Sequence, residues 1–236
     1  MSLTSVNIRP DNAIGVLDKE QGWISLIRRS GEEIDIVNAA RVSFGKFRTE
    51  FGEADKKLLN FLIKEKHFAP LEHITFSFLV HCPLFVRGQW HRHRCWSYNE
   101  ISRRYTEVDL EFYLPSKFRK QSTDNKQASE DDNFLDSMTT LSVLSVFRDT
   151  TLSLTKIYND LLASGVCREQ ARSILPQNMM TTFYASTDLR NLLHFLSLRM
   201  DKHAQWEIRQ YANAIYEMLK KDYPNVMEAF DEGLIK

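Results

Sequence analysis

ITFSFLVHC, residues 74–82, alternates Ile74, Phe76, Phe78, Val80 and Cys82 against Thr75, Ser77, Leu79 and His81. That two-residue period belongs to a strand with one face buried. Pro70 and Pro83 bracket it. Upstream, residues 54–66 carry Leu58, Leu59, Phe61, Leu62 and Ile63 among lysines and glutamate, an apolar stripe at helical spacing. Downstream, residues 134–163 hold apolar positions at helical spacing with no Pro or Gly inside, and Ser164-Gly165 follows, where glycine suits a C-cap. The spacing predicts one long scaffold helix. A short helix over 167–175 stops before Pro176, residues 179–186 read as a strand, and helices follow over 188–203 and from about 205 to 221. Strands and helices mix without regular βαβ alternation, so the class is α+β, a single domain with a mixed or antiparallel sheet and long helices. Residues 116–133, rich in Lys, Gln, Ser, Asp and Asn, read as a surface loop.

The chain of 236 residues is long enough to bury a substantial core, and one domain over 1–236 is the expectation. Its net charge of zero argues against a protein that grips nucleic acid nonspecifically. The cysteines Cys82, Cys95 and Cys167 are odd in number and widely spaced, which indicates neither a disulfide framework nor a structural zinc knot and fits a reducing, cytoplasmic setting. The start MSLTSVNIRPDN lacks a basic segment followed by an apolar run, and no long apolar stretch suggests a membrane span. A soluble, unprocessed protein without membrane association is expected.

Positive charge is instead local. QWHRHRCWSYNEISRRY, residues 89–105, places Arg92, Arg94, Arg103 and Arg104 among Trp90, Trp96, Tyr98 and Tyr105. Guanidinium forks match phosphate or carboxylate, and the flat rings offer stacking faces, so the combination points to a nucleotide or a phosphorylated cofactor. Ser102 has no adjacent base to activate it and reads as part of a phosphate cradle. His91 and His93 form an HxH pair that, on a strand, would place two imidazoles on one face and could begin a metal site; the flanking arginines would repel a divalent cation, and no metal is expected. Trp90 and Trp206 read as core or interface anchors in preference to substrate stackers. A nonenzymatic RNA- or nucleotide-binding module is the rival class.

DLRNLLHFLSLRMDKHAQWEI, from Asp188, carries apolar side chains around nearly its whole circumference, as an enclosed helix does. Arg190 and His194 share one face and Arg199 and His203 another roughly opposite, so two polar pairs are expected to enter the interior. An unpaired buried charge costs several kcal/mol, so each pair needs Asp201, Glu207, a neighbouring subunit or a bound anion.

Arg92-His93-Arg94, followed by Ser102 and Arg104-Tyr105, resembles the signature of the flavin-dependent thymidylate synthases. His67 and Pro70-Leu71-Glu72-His73 upstream, Arg168-Glu169-Gln170-Ala171-Arg172 with Leu175-Pro176 and Asn178, and Leu198-Arg199 with His203-Ala204-Gln205-Trp206-Glu207 resemble the family's other blocks in order. The resemblance implies a homotetramer with active sites shared between subunits, FAD as cofactor, dUMP as substrate, methylenetetrahydrofolate as one-carbon donor and NADPH as reductant. It further implies that His67, Ala69, Arg92, His93, Arg94, Glu100, Asp188, Leu189, Arg190 and His194 contact FAD. Gln89, Trp90, His91, Arg92, Glu100, Ile101, Ser102, Arg103, Arg104, Arg172 and Arg199 would surround dUMP, with Arg199 activating the uracil ring. No cysteine falls at a position the resemblance marks as catalytic. Asp188 stands where many relatives have Asn, Ala69 replaces a common hydroxyl residue, and Arg103 fills a position often held by a small one; Asp188 is also a good helix N-cap.

Overall fold

A computed structural model describes residues 8–105, 110–123 and 129–233. In chain order its elements are β1 (Ile14–Val16), β2 (Gly22–Ser30), α1 (Glu33–Arg41), α2 (Glu53–Lys64), β3 (Thr75–Pro83), α3 (Leu84–Trp90), β4 (Ser97–Glu100), β5 (Arg119–Gln121) and β6 (Ser129–Phe134). There follow α4 (Ser137–Ala163), α5 (Arg168–Ala171), β7 (Met180–Asp188), α6 (Leu189–Arg199), α7 (Trp206–Asp222) and α8 (Pro224–Asp231). Five strands form one sheet in the order β1-β2-β3-β7-β4, and β5 pairs with β6. β1 and β2 run antiparallel with Val16 opposite Gly22. The class is α+β, as the patterning predicts.

The chain divides into two compact units, and the division falls inside strands β2, β3, β4 and β7. The first unit comprises Met1–Ile24, Val80–Arg92 and Asn99–Phe183. There α4 begins at its N-cap Asp136, whose Oδ1 accepts the Thr139 N–H at 3.0 Å, and it gives way at Ser164 to Gly165, in the left-handed region at φ 86°. Tyr158 on α4 packs with Ala171, Leu175 and Met179. Along its length only Thr151 and Tyr158 are buried, while Met138, Leu141, Val146, Phe147, Leu152 and Ile157 face outward. The helix starts later than its apolar spacing suggests because residues up to Phe134 belong to β6. Residues 116–133 are therefore not simply a loop: Arg119 and Gln121 of β5 register with Phe134 and Ser129 of β6. Residues 124–128, part of that expected loop, and residues 1–7, part of the expected unprocessed start, lie outside the described residues.

The second unit comprises Ser25–Leu79, His93–Tyr98 and Tyr184–Lys236. Ile36 and Val37 of α1, Leu59 and Ile63 of α2, Phe76 and Phe78 of β3, Leu192 and Phe195 of α6, and Tyr211 and Ile215 of α7 are each 0–1% exposed. Full burial of one such side chain contributes ~1.5–3 kcal/mol before chain entropy is subtracted. Pro224 at the first turn of α8 fixes the break after α7, and the Tyr223 hydroxyl ties that break to the Gly31 carbonyl at 2.6 Å. Among the described residues, no helix is long and apolar enough to cross a membrane.

Candidate functional site

In the second unit, α2 ends by sending Lys66 into the left-handed region at φ 59°, while the His67 N–H returns to the Leu62 carbonyl at 2.8 Å. A non-glycine residue there costs on the order of 1 kcal/mol. The reversal leaves His67 and Ala69 exposed on either side of Phe68, which lines a cleft of about 390 Å³ together with Cys95, Arg190, Asn191, His194 and Ser197. The helix presenting the last four is anchored at its start. The Leu189 N–H bonds the Ile74 carbonyl at 2.8 Å, and Asp188 caps the helix through the Asn191 N–H at 2.9 Å. Leu189 itself is core.

Arg190 and His194 are exposed, which corrects the expectation of an enclosed helix. The buried face of α6 is carried by Leu189, Leu192, Leu193, Phe195 and Leu196; Leu198, which made the helix look apolar all round, is itself 47% exposed. Arg190 pairs with Glu72 and lies over the Phe68 ring, 5.6 Å from its centroid. The cleft thus joins a flat ring, a guanidinium and an imidazole.

Arg199, at the end of α6, donates from Nε to Nε2 of His93 at 3.0 Å. The His93 ring is buried, packs edge-on to Phe195 with centroids 4.9 Å apart, and its carbonyl accepts the Tyr98 hydroxyl at 2.9 Å. Burial, the Arg199 charge and His194 together push His93 from an ordinary histidine value down to about 4. His93 is therefore neutral and Arg199 keeps its proton.

In the first unit a cleft of about 700 Å³ gathers Glu100, Ile101, Ser102, Arg103, Arg104 and Arg172, six of the residues expected around dUMP. Arg172 begins the 3-10 turn Arg172–Ile174 and is exposed; Arg104 is exposed and 3.5 Å from Glu169, a pair worth about 0–1 kcal/mol. The Arg104 N–H meets the Ser102 hydroxyl oxygen at 3.3 Å. Arg103 is 8% exposed, and burial lowers its proton affinity against the opposing influence of Tyr158 and Glu111. Glu100 accepts the Thr181 hydroxyl at 2.7 Å.

Trp90 is wholly buried, edge-on to Phe183 at 5.5 Å, a core anchor. Gln89 and His91 are half-buried, and Arg92 and Arg94 are exposed; none of these four lines either cleft. His91 caps the C-terminus of α3 and His93 follows the turn, so the HxH pair is not on a strand. No cluster able to hold a metal ion occurs among the described residues. Arg87, Glu169 and Thr181 were not marked as site residues by the sequence; Thr181 reads as an ordinary strand threonine, and Arg87 precedes the arginine-rich stretch by two positions.

The profile of the thymidylate synthase complementing protein family matches residues 25–225. The flavin-dependent thymidylate synthase of Thermus thermophilus is 45% identical over 94% of this chain and 80% of its own length. That of Thermosipho africanus is 42% identical over 91% and 92%. The crystal structure of a UMP/dUMP methylase, PolB from Streptomyces cacaoi bound with 5-Br dUMP, superposes with a TM-score of 0.80 at 30% identity, covering 89% of this chain and 95% of that one. With the family profile matching residues 25–225 and such relatives covering most of the sequence, the chain belongs to the flavin-dependent thymidylate synthase family.

Proposed function

We propose that this enzyme converts dUMP to dTMP with methylenetetrahydrofolate as one-carbon donor and NADPH as reductant, without a cysteine nucleophile. The observation that carries the reading is the charge of the first unit's cleft. Arg87, Arg103, Arg104 and Arg172 face Glu100 and Glu169, an excess of two positive charges that suits the dianionic phosphate of a nucleoside monophosphate. Ser102 adds a hydroxyl, and Ile101 an apolar wall.

The second unit's cleft fits FAD by its donor set: an aromatic face at Phe68, a cation at Arg190, and hydrogen-bonding groups at Asn191, His194 and Ser197. We assign FAD contacts to His67, Ala69, Arg92, His93, Arg94, Glu100, Asp188, Leu189, Arg190 and His194, with Ala69 restricted to its backbone. Bound FAD would supply the redox chemistry. Arg199 places a fixed positive charge where negative charge develops on the uracil N-3 and carbonyl oxygen, favouring the enolate-like form whose C-5 is nucleophilic. Neutral His93 accepts from Arg199 and sets the angle of its fork.

Cys82 is fully enclosed and its thiol is raised well above the ordinary range by burial, which disfavours a thiolate. The outward apolar side chains of α4 support a homotetramer with shared sites, since a solvated monomer gains nothing from such a face. Residues 1–236 act as one catalytic domain in the cytoplasm on this reading.

The test is anaerobic addition of NADPH to FAD-loaded protein, with and without dUMP, followed by methylenetetrahydrofolate. Flavin bleaching and then dTMP support the proposal. FAD binding without dTMP leaves a flavoprotein of another reaction, and no FAD binding returns the arginine cleft to a nucleotide-binding role.

A further inference from the structure

Three elements converge on one carboxylate in the first unit. Glu100, the last residue of β4, accepts the Thr181 hydroxyl of β7 on Oε1 at 2.7 Å, and the same oxygen lies 3.2 Å from Nε of Arg87 on α3. The Arg87 Nε–H is not aligned for a hydrogen bond, so that contact is an ion pair. Thr181 is 3% exposed, and the next residue along, Ile101, is fastened through its N–H to the Thr182 carbonyl at 2.9 Å. Oε2 takes no hydrogen bond from the described residues.

We propose that Arg87 is a positioning residue for nucleotide recognition: with Thr181 it holds Oε1 of Glu100 and reserves Oε2 to accept a hydroxyl or imide N–H of a pyrimidine nucleoside. The inference rests on the reading of this cleft as the dUMP site. A carboxylate with both oxygens free can rotate and must be reordered on binding; one oxygen held from two sides removes that cost. Arg87 is poorly suited to hold the phosphate itself, because its charge is already engaged with Glu100, whereas Arg104 and Arg172 lie exposed on the same cleft.

The discriminating experiment measures equilibrium binding of dUMP and of phosphate-free deoxyuridine to the FAD-loaded enzyme and its variants R87A, R87K, T181V, E100Q and R87A/E100Q, with steady-state kinetics alongside. R87A is expected to weaken both ligands by the same factor, about tenfold, and R87K to recover most of it. KM for dUMP rises while kcat changes little. R87A/E100Q binds no worse than E100Q, the mark of a residue acting through another. T181V, nearly isosteric, gives the same pattern and serves if R87A does not fold. A loss confined to dUMP, an additive double variant, or unchanged binding overturns the proposal. Wild-type enzyme that binds neither ligand overturns the nucleotide reading of the cleft, and this inference with it.

Discussion

Arg199 donates to Nε2 of His93 at 3.0 Å, so the imidazole carries its proton on Nδ1 and is neutral. A second proton would set an imidazolium against a guanidinium in a buried place. His93 is held at about 4, below the value of 6.5 it has when unfolded. Its stabilising contribution is fully present above pH 6.5 and is lost as pH falls toward 4, because only the unfolded chain takes up the proton in that window. Between pH 7 and pH 4.5 the wild-type protein should lose on the order of 2 kcal/mol more than His93→Gln, after discounting for solvent near the site. Urea unfolding at the two pH values measures this; equal losses would remove the buried neutral histidine.

Arg199 is half-buried at the end of a helix whose apolar face stays intact without it. Arg199→Ala should leave the fold and flavin uptake in place while dTMP formation falls by at least about a hundredfold, the scale on which a single electrostatic donor acts. Arg199→Lys should recover little, since one ammonium cannot reproduce the fork aimed at once to His93 and to a ring. Normal turnover by the alanine variant would sink the assigned role.

The alternation of Phe76, Phe78 and Val80 marks β3 because a two-residue period has no helical rival over nine residues. Helix α3 was hidden, being seven residues long with Gly88 inside, too short for a helical period to declare itself. For α8 a signal existed in Pro224 at the first turn. The local motif located the arginine cleft's Glu100 to Arg104 wall, because those residues are contiguous. Thr181 and Arg87 join it only through the pairing of separate elements, which no local pattern encodes. The circumference of α6 misled for the opposite reason: apolar Leu198 is exposed, so counting apolar directions overstated how much of the helix is enclosed.

Arg172 lies exposed on the arginine cleft and needs no rearrangement of the core to meet a phosphate. Arg172→Ala should raise the KM for dUMP by about tenfold to a hundredfold, as loss of a charge-assisted contact does, with the NADPH requirement nearly unchanged. Equal effects on both would assign Arg172 to structure.

Arg190 is exposed, so its ion pair with Glu72 adds little stability. Arg190→Ala should shift the melting temperature by no more than about two degrees. Flavin titration of the same variant, read by fluorescence quenching, should show FAD affinity lowered by about tenfold. Unchanged FAD affinity would move the cofactor away from the cleft built on Phe68 and Arg190.

The three thiols differ in setting. Cys82, on β3, is fully buried, and burial and the nearby Glu100 raise its thiol while Arg87 only partly opposes them. Cys95 is exposed on the cleft of Arg190 and His194, and Cys167 is the exposed N-cap of a single-turn helix with Sγ 3.6 Å from the Gln170 amide oxygen. Changing Cys95 and Cys167 to Ser and Cys82 to Ala should keep kcat/KM within about threefold, with a stability loss of about 1 kcal/mol from the volume removed at Cys82. Alanine is chosen at Cys82 because a serine hydroxyl there would be buried at a cost of about 1–3 kcal/mol if left unpaired. A folded, FAD-bound triple variant without dTMP formation would restore a thiolate mechanism, and the single variants would then identify which sulfur carries it.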